Sequence, residues 1–217
     1  MAVRRLPRWA GGLTVALALC QPALSAEPFQ DSFDAGLDRW QRLNPGNWEV
    51  QRDGDNPCLA LVKSPALRPG VRRPAEYALV KDRAWRDVTI DLRVKSLRPS
   101  TLKGRDCVVI FGFQDDTHFY YVHLSNDANG SNHNVVMKVD GDQRTMLQTP
   151  LKPQPRLSDG WHKVRVKHLA NGEITVWMDD LDKPLMQAKD TRYPQGAVGV
   201  GSFDDTAAFD DVKVVAE

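Results

Sequence analysis

A chain of 217 residues that is 41% hydrophobic and 26% charged has enough apolar material for a core and none of the bias of a disordered or collagen-like polymer. Its first 26 residues read as an export signal, which leaves residues 27–217 as one ordinary domain. Removing Arg4, Arg5 and Arg8 with that signal leaves 26 basic against 28 acidic residues, without the basic excess of a duplex nucleic-acid binder.

The signal reads MAVRRLPRWAGGLTVALALCQPALSA: a basic start, an apolar run from Gly11 to Leu19, then small residues at Ser25 and Ala26. That run is too short to cross a bilayer and no second apolar stretch follows, so export to the periplasm or extracellular space is expected rather than a membrane span. Leu17-Ala18-Leu19-Cys20 approximates a lipoprotein box but carries leucine where a small residue belongs before the cysteine. Lipid anchoring at Cys20 is therefore the secondary expectation.

Beyond the signal, helical periodicity is nearly absent, and short β-branched or aromatic runs alternate with clusters of Gly, Asn, Asp and Pro. Strands are predicted near 47–51, 58–63, 77–81, 87–95, 106–113, 118–124, 134–139, 143–147, 161–168, 173–178, 185–188, 196–202 and 208–215. So many strands in one domain require two packed sheets, because a single open sheet of that size leaves an apolar face in water. The fold class is all-β, an antiparallel two-sheet sandwich.

Asp140-Gly141 and Asn171-Gly172 supply tight turns between strands, whereas the proline-rich stretches at 65–74 and 150–155 read as loops. Alternation sorts the faces. Val88, Ile90, Leu92 and Val94 form a dry side against Thr89, Asp91 and Arg93; Ile174, Val176 and Met178 do so against Trp177; Val164 and Val166 point inward beside His162. The run 106–113 is apolar on both faces and belongs in the middle of a sheet. Cys58 and Cys107, the cysteines of the mature chain, suit either one disulfide in an oxidising compartment or two small core residues.

The opening Asp31-Ser32-Phe33 with Leu37-Asp38-Arg39-Trp40, the run Trp161-His162-Lys163-Val164-Arg165-Val166, and the ending Gly199-Val200-Gly201-Ser202-Phe203-Asp204 with Phe209-Asp210-Asp211-Val212 together resemble the concanavalin A-like lectin/glucanase superfamily. Within it the chain resembles exported domains near the 3-keto-disaccharide hydrolase family and laminin-G-like domains. The resemblance spans almost the whole mature chain. It implies a jelly-roll sandwich whose concave face takes carbohydrate, and a structural calcium where the first and last strands meet, matched here to Asp31 and Asp211. The superfamily holds lectins, glycosidases, lyases and interaction modules, so the fold alone does not choose among them.

The segment His118 to Leu124, followed by Asn132-His133-Asn134, concentrates three of the five histidines and two tyrosines. With Val122 and Leu124 turned to the core, Tyr121 and His123 point to the other face. There a sugar-binding site would combine them with Arg93 and Asn134, because a pyranose offers an apolar face to a ring and hydroxyls to polar groups. Trp177 is a further stacking candidate. His123 and His133 are the acid/base candidates, since imidazole moves protons near neutral pH. Lys138 and Arg144, beside the Asp140-Gly141 turn, either reach an anionic or hydroxylated ligand or are solvated hairpin charges. The five glutamates, Glu27, Glu49, Glu76, Glu173 and Glu217, never fall five apart, so the Glu-x-Asp-x-x-Glu motif of laminarinase-type glycosidases is absent.

Three functions follow as expectations: an exported, monomeric carbohydrate-binding domain; a glycoside hydrolase or lyase acting on sugar derivatives such as 3-keto-glycosides; and a laminin-G-like interaction module. Only the first two use Tyr121 and His123 on sugar.

Overall fold

The computed structural model describes residues 24–64, 70–127, 132–148 and 157–217. The stretch expected to be an export signal, Cys20 included, lies outside them apart from its last three residues, as do most residues of the two proline-rich segments. Sixteen strands follow in chain order: β1 (Phe29–Asp31), β2 (Trp40–Arg42), β3 (Trp48–Asp53), β4 (Asn56–Leu61), β5 (Glu76–Val80), β6 (Trp85–Arg86), β7 (Val88–Ser96), β8 (Asp106–Asp115), β9 (His118–Ser125), β10 (Val135–Asp140), β11 (Gln143–Met146), β12 (His162–His168), β13 (Glu173–Met178), β14 (Met186–Lys189), β15 (Gln195–Ser202) and β16 (Ala207–Ala216). All the predicted strands are present. The additional ones, β1, β2 and β6, are two or three residues long, too short for an alternation pattern to register.

The strands form two eight-stranded antiparallel sheets. The first runs β14-β13-β12-β7-β16-β4-β3 with β1 beside β16; the second runs β11-β10-β9-β8-β15-β5-β2 with β6 beside β15. Long pairings hold each sheet together, such as β7 against β16 and β12, and β8 against β9 and β15. The β10–β11 hairpin turns through Gly141, whose φ of +68° is open to glycine at little cost. At the end of the β12–β13 turn, Gly172 also has positive φ, and a Cβ there would lie 2.7 Å from Thr191 Cγ2.

Between the sheets lies one hydrophobic core. Leu59, Leu61, Ile90, Leu92, Val94, Val164, Val166, Ile174, Val176 and Phe209 of the first sheet face Ala78, Val80, Val109, Phe111, Tyr120, Val122, Leu124, Val136 and Val200 of the second. The dry faces expected for β7, β12 and β13 all point there. The second sheet also carries apolar side chains on its outer face: Tyr77, Leu79, Val108, Ile110, Phe119, Tyr121, Val135, Met137 and Val139 form a separate buried cluster with Phe203. This explains why 106–113 is apolar on both sides. β8 sits at the centre of its sheet, with the core on one face and the second cluster on the other.

Candidate functional site

Register decides which side chains stand together on the outer face of the second sheet. His123 is flanked by Val108 of β8 and Val135 of β10, and Tyr121 by Ile110 and Met137. Phe203, just past the end of β15, packs against both, its ring centre 4.9 Å from His123 and 5.5 Å from Tyr121. Asp106 fixes this corner: it is buried, and its Oδ1 accepts from the Phe203 N–H at 3.0 Å and the Ser202 hydroxyl at 2.6 Å.

His123 Nδ1 lies 2.7 Å from the Asn132 carbonyl oxygen, while Nε2 faces Asp106 Oδ2 at 3.5 Å. Nδ1 thus has a close acceptor, while Nε2 points toward the buried Asp106 carboxylate at longer range. Burial opposes charge on Asp106, yet the neighbouring His123, Ser202 and the Phe203 N–H outweigh it and lower the carboxyl pKa. His133 sets its ring perpendicular to that of His123 at 4.8 Å, with Nδ1 3.3 Å from Asp127 Oδ2. Burial, and then the charge on His123, depress the His133 pKa and favour its neutral form. Asp205 Oδ2 accepts the Asp106 N–H at 3.1 Å, and burial together with the Asp106 charge pushes its carboxyl up to about 6.

The rim is cationic. Arg144 of β11 donates to the Tyr121 hydroxyl at 3.4 Å, and its guanidinium carbon lies 5.7 Å from the Phe203 ring centre. Arg72, which is exposed, lies 4.9 Å from the same ring centre. Burial raises the Tyr121 phenol to about 12 despite the opposing pull of these two arginines.

The structure brings together only part of the site expected from sequence. Tyr121 and His123 share a face, but at 0% and 3% exposure they form a buried floor rather than an open platform. Arg93 and Trp177 do not join them, because β7 and β13 belong to the first sheet. Alternation separates the two faces of a strand; it does not say which sheet the strand enters. Arg93 instead meets two consecutive carboxylates, Asp210 and Asp211, the latter at 2.7 Å. A β-bulge in β16, with Asp211 at φ +49°, turns both toward it. Asp210 is fully buried and also accepts from Asn56 Nδ2 at 2.6 Å.

Asn134 is buried at the entry to β10 with φ +54°, and its Oδ1 accepts the Ser125 N–H at 3.1 Å, so it shapes the backbone. Lys138 pairs with Asp190 at 2.7 Å, away from Arg144. Phe203, Asp106 and Arg72 were missed as site residues: Asp106 comes beside His123 through the β8–β9 pairing, whereas Phe203 arrives at the end of the distant strand β15 and Arg72 lies against its ring.

No protein-family model matches the chain, and a search of curated protein sequences finds no match. Among solved structures, the carbohydrate-binding module CBM66 from Bacillus subtilis superposes with TM-score 0.60 at 16% identity, covering 81% of this chain and 94% of that one. The chain has the concanavalin-like sandwich fold. A GH16 protein of the Bacteroides ovatus mixed-linkage glucan locus matches at TM-score 0.55 and 12% identity over 86% of this chain and 98% of that one. The exoplasmic/lumenal domain of VIP36, solved with Ca²⁺ and Man3GlcNAc, matches at TM-score 0.55 and 15% identity over 84% and 85%.

In this concanavalin A-like sandwich, Asp31 and Asp211, matched to calcium from sequence, do line one cleft of about 290 Å³ with Gln30, Ser32, Val212 and Lys213. Both carboxylates are already engaged, however. Asp31 accepts the Phe33 N–H at 2.9 Å and the Trp40 indole N–H at 3.0 Å, and Asp211 faces Arg93. Among the described residues no three acidic, imidazole or thiol groups converge on one point. Cys58 and Cys107 are both buried and free, not bridged. No helix among the described residues is long and apolar enough to cross a membrane.

Proposed function

We propose that this protein is an exported carbohydrate-binding domain whose ligand lies across the outer face of the second sheet, over Phe203. The observation that carries the reading is the layered construction of that face: an aromatic and imidazole floor of Tyr121, His123 and Phe203 beneath a polar rim of Arg72, His133 and Arg144. Rings with adjacent fixed donors are what sugar recognition requires. The neighbours point the same way, since one is a carbohydrate-binding module and another holds Man3GlcNAc. In this reading Tyr121 and His123 are positioning residues, orienting Arg144 and His133, which reach the ligand.

A glycan array on the mature domain tests it. Retained glycans whose signal is lost in His133→Ala, with an unchanged melting temperature, support the reading; no retention of any glycan discards it and leaves an interaction module.

The His123–Asp106 pair beside His133 favours a second reading, a glycoside hydrolase or lyase. His123 lies between two acceptors, so the proton-transfer role falls to His133, which favours the neutral form of a general base. Product release that His133→Gln abolishes while binding persists would establish turnover; binding without product in the wild type would reject it.

A further inference from the structure

Most arginines on this sandwich face a carboxylate. Arg39, Arg73, Arg86, Arg93, Arg98, Arg105, Arg165 and Arg192 each have one within 4 Å. Arg42, Arg52, Arg72, Arg83 and Arg144 have no such partner among the described residues, and of these Arg72 and Arg144 share one ring, that of Phe203. Arg144 also donates to the Tyr121 hydroxyl, at a long 3.4 Å, which takes one of its five N–H donors. The neighbouring imidazole of His123 sits between two acceptors, and its Nε2 has no close hydrogen-bond partner. Asp106, the carboxylate of this corner, is buried beneath and turned to Ser202, the Phe203 N–H and His123. The ring of Phe203 is therefore flanked by two guanidiniums, while Asp106 is committed inward.

Two like-charged guanidiniums gathered on one ring, with no carboxylate partner among the described residues, make a receptor for a carboxylate or a sulfate rather than for neutral hydroxyls alone. We infer that Arg72 and Arg144 form the anion-recognising end of the outer-face site, so that its ligand is an acidic carbohydrate bearing carboxylate or sulfate groups. This inference rests on the carbohydrate-binding reading and narrows it. The sugar ring lies toward Phe203 and His133, and the acidic substituent lies between the two guanidiniums.

The test compares three polymers by isothermal titration and affinity electrophoresis on the mature domain: polygalacturonate, dextran sulfate and neutral dextran. Wild type, Arg72→Gln, Arg144→Gln and, as a charge control on the opposite sheet, Lys163→Gln are measured at two salt concentrations. Binding to polygalacturonate or to dextran sulfate that exceeds binding to dextran, and that falls about tenfold or more in each arginine variant but not in Lys163→Gln, supports the inference; which polymer responds distinguishes carboxylate from sulfate. Partial recovery in Arg144→Lys adds that charge as well as geometry is used. Acidic polymers held equally by all four proteins, or lost equally in Lys163→Gln, overturn it as unspecific charge attraction. Neutral glycans bound as well as acidic ones with the arginine variants unaffected overturn it while leaving the carbohydrate reading standing. A glycan array silent for neutral and acidic glycans alike removes both.

Discussion

Acidification probes the interior of the sandwich through His168. Its ring is 1% exposed and packed against Phe111 at 5.2 Å and Tyr120 at 5.4 Å, and its Nε2 has no hydrogen-bond partner among the described residues. Burial pushes the imidazole down from 6.5 to about 4, with Asp87 and Asp190 opposing weakly. The unfolded chain therefore takes up this proton near pH 6.5 and the folded chain only near pH 4. The stability that depends on a neutral His168 is intact above 6.5, declines as the pH falls and is gone below 4. A gap of about 2.5 pH units corresponds to about 3 kcal/mol, or about 6–12 °C in Tm for a domain of this size. The replacement His168→Phe keeps an aromatic ring in the same contacts and removes the titration. Urea unfolding followed by tryptophan fluorescence at pH 7.5 and pH 4 is expected to show the wild type losing about 3 kcal/mol relative to this variant. Every other titrating group is common to both proteins and cancels in the comparison. Parallel pH dependences would refute the assignment of an unpartnered neutral imidazole to the core.

Asp205 acts in the opposite sense. Its folded-state value of about 6 lies above its ordinary 3.8, so its contribution is present below 3.8 and lost as the pH rises through 6. Asp205→Asn, whose amide oxygen still accepts the Asp106 N–H, should stabilise the protein by about 1–2 kcal/mol at pH 7.5 and not at pH 3.5, read by the same urea titration. Arg93→Ala leaves Asp210 buried with Asn56 and the Asp211 N–H but without the cation that faces it, and is expected to cost about 3–5 kcal/mol, most of it recovered in Arg93→Ala/Asp210→Asn; no recovery would show that lost packing, not the stranded charge, is responsible. Asp31→Ala should lower stability by about 1–3 kcal/mol through Trp40 and Phe33, equally in EDTA and in millimolar calcium, and a loss confined to calcium buffer would restore a metal to the Asp31–Asp211 cleft. Burial raises both thiols, so Cys58 and Cys107 are expected to stay inert to a disulfide reagent until urea unfolds the chain.

Local chemistry made most of the sandwich legible in the sequence. Period-two alternation in 87–95, 161–168 and 173–178 gave the dry faces, Asp140-Gly141 marked a hairpin, and the doubly apolar 106–113 announced a central strand, because each depends on side chains a few residues apart. Tyr121 and His123 shared a face for the same reason. The pairing of strands distant in the chain was decided only by the tertiary structure. It sent Arg93 to Asp210 and Asp211 on one sheet and brought Phe203 onto His123 on the other. It turned the expected open platform into a floor and brought Arg72 and Arg144 to a single ring. Alternation has a period of two residues and carries no memory of sheet identity, whereas the acid that Arg93 meets stands 117 residues away.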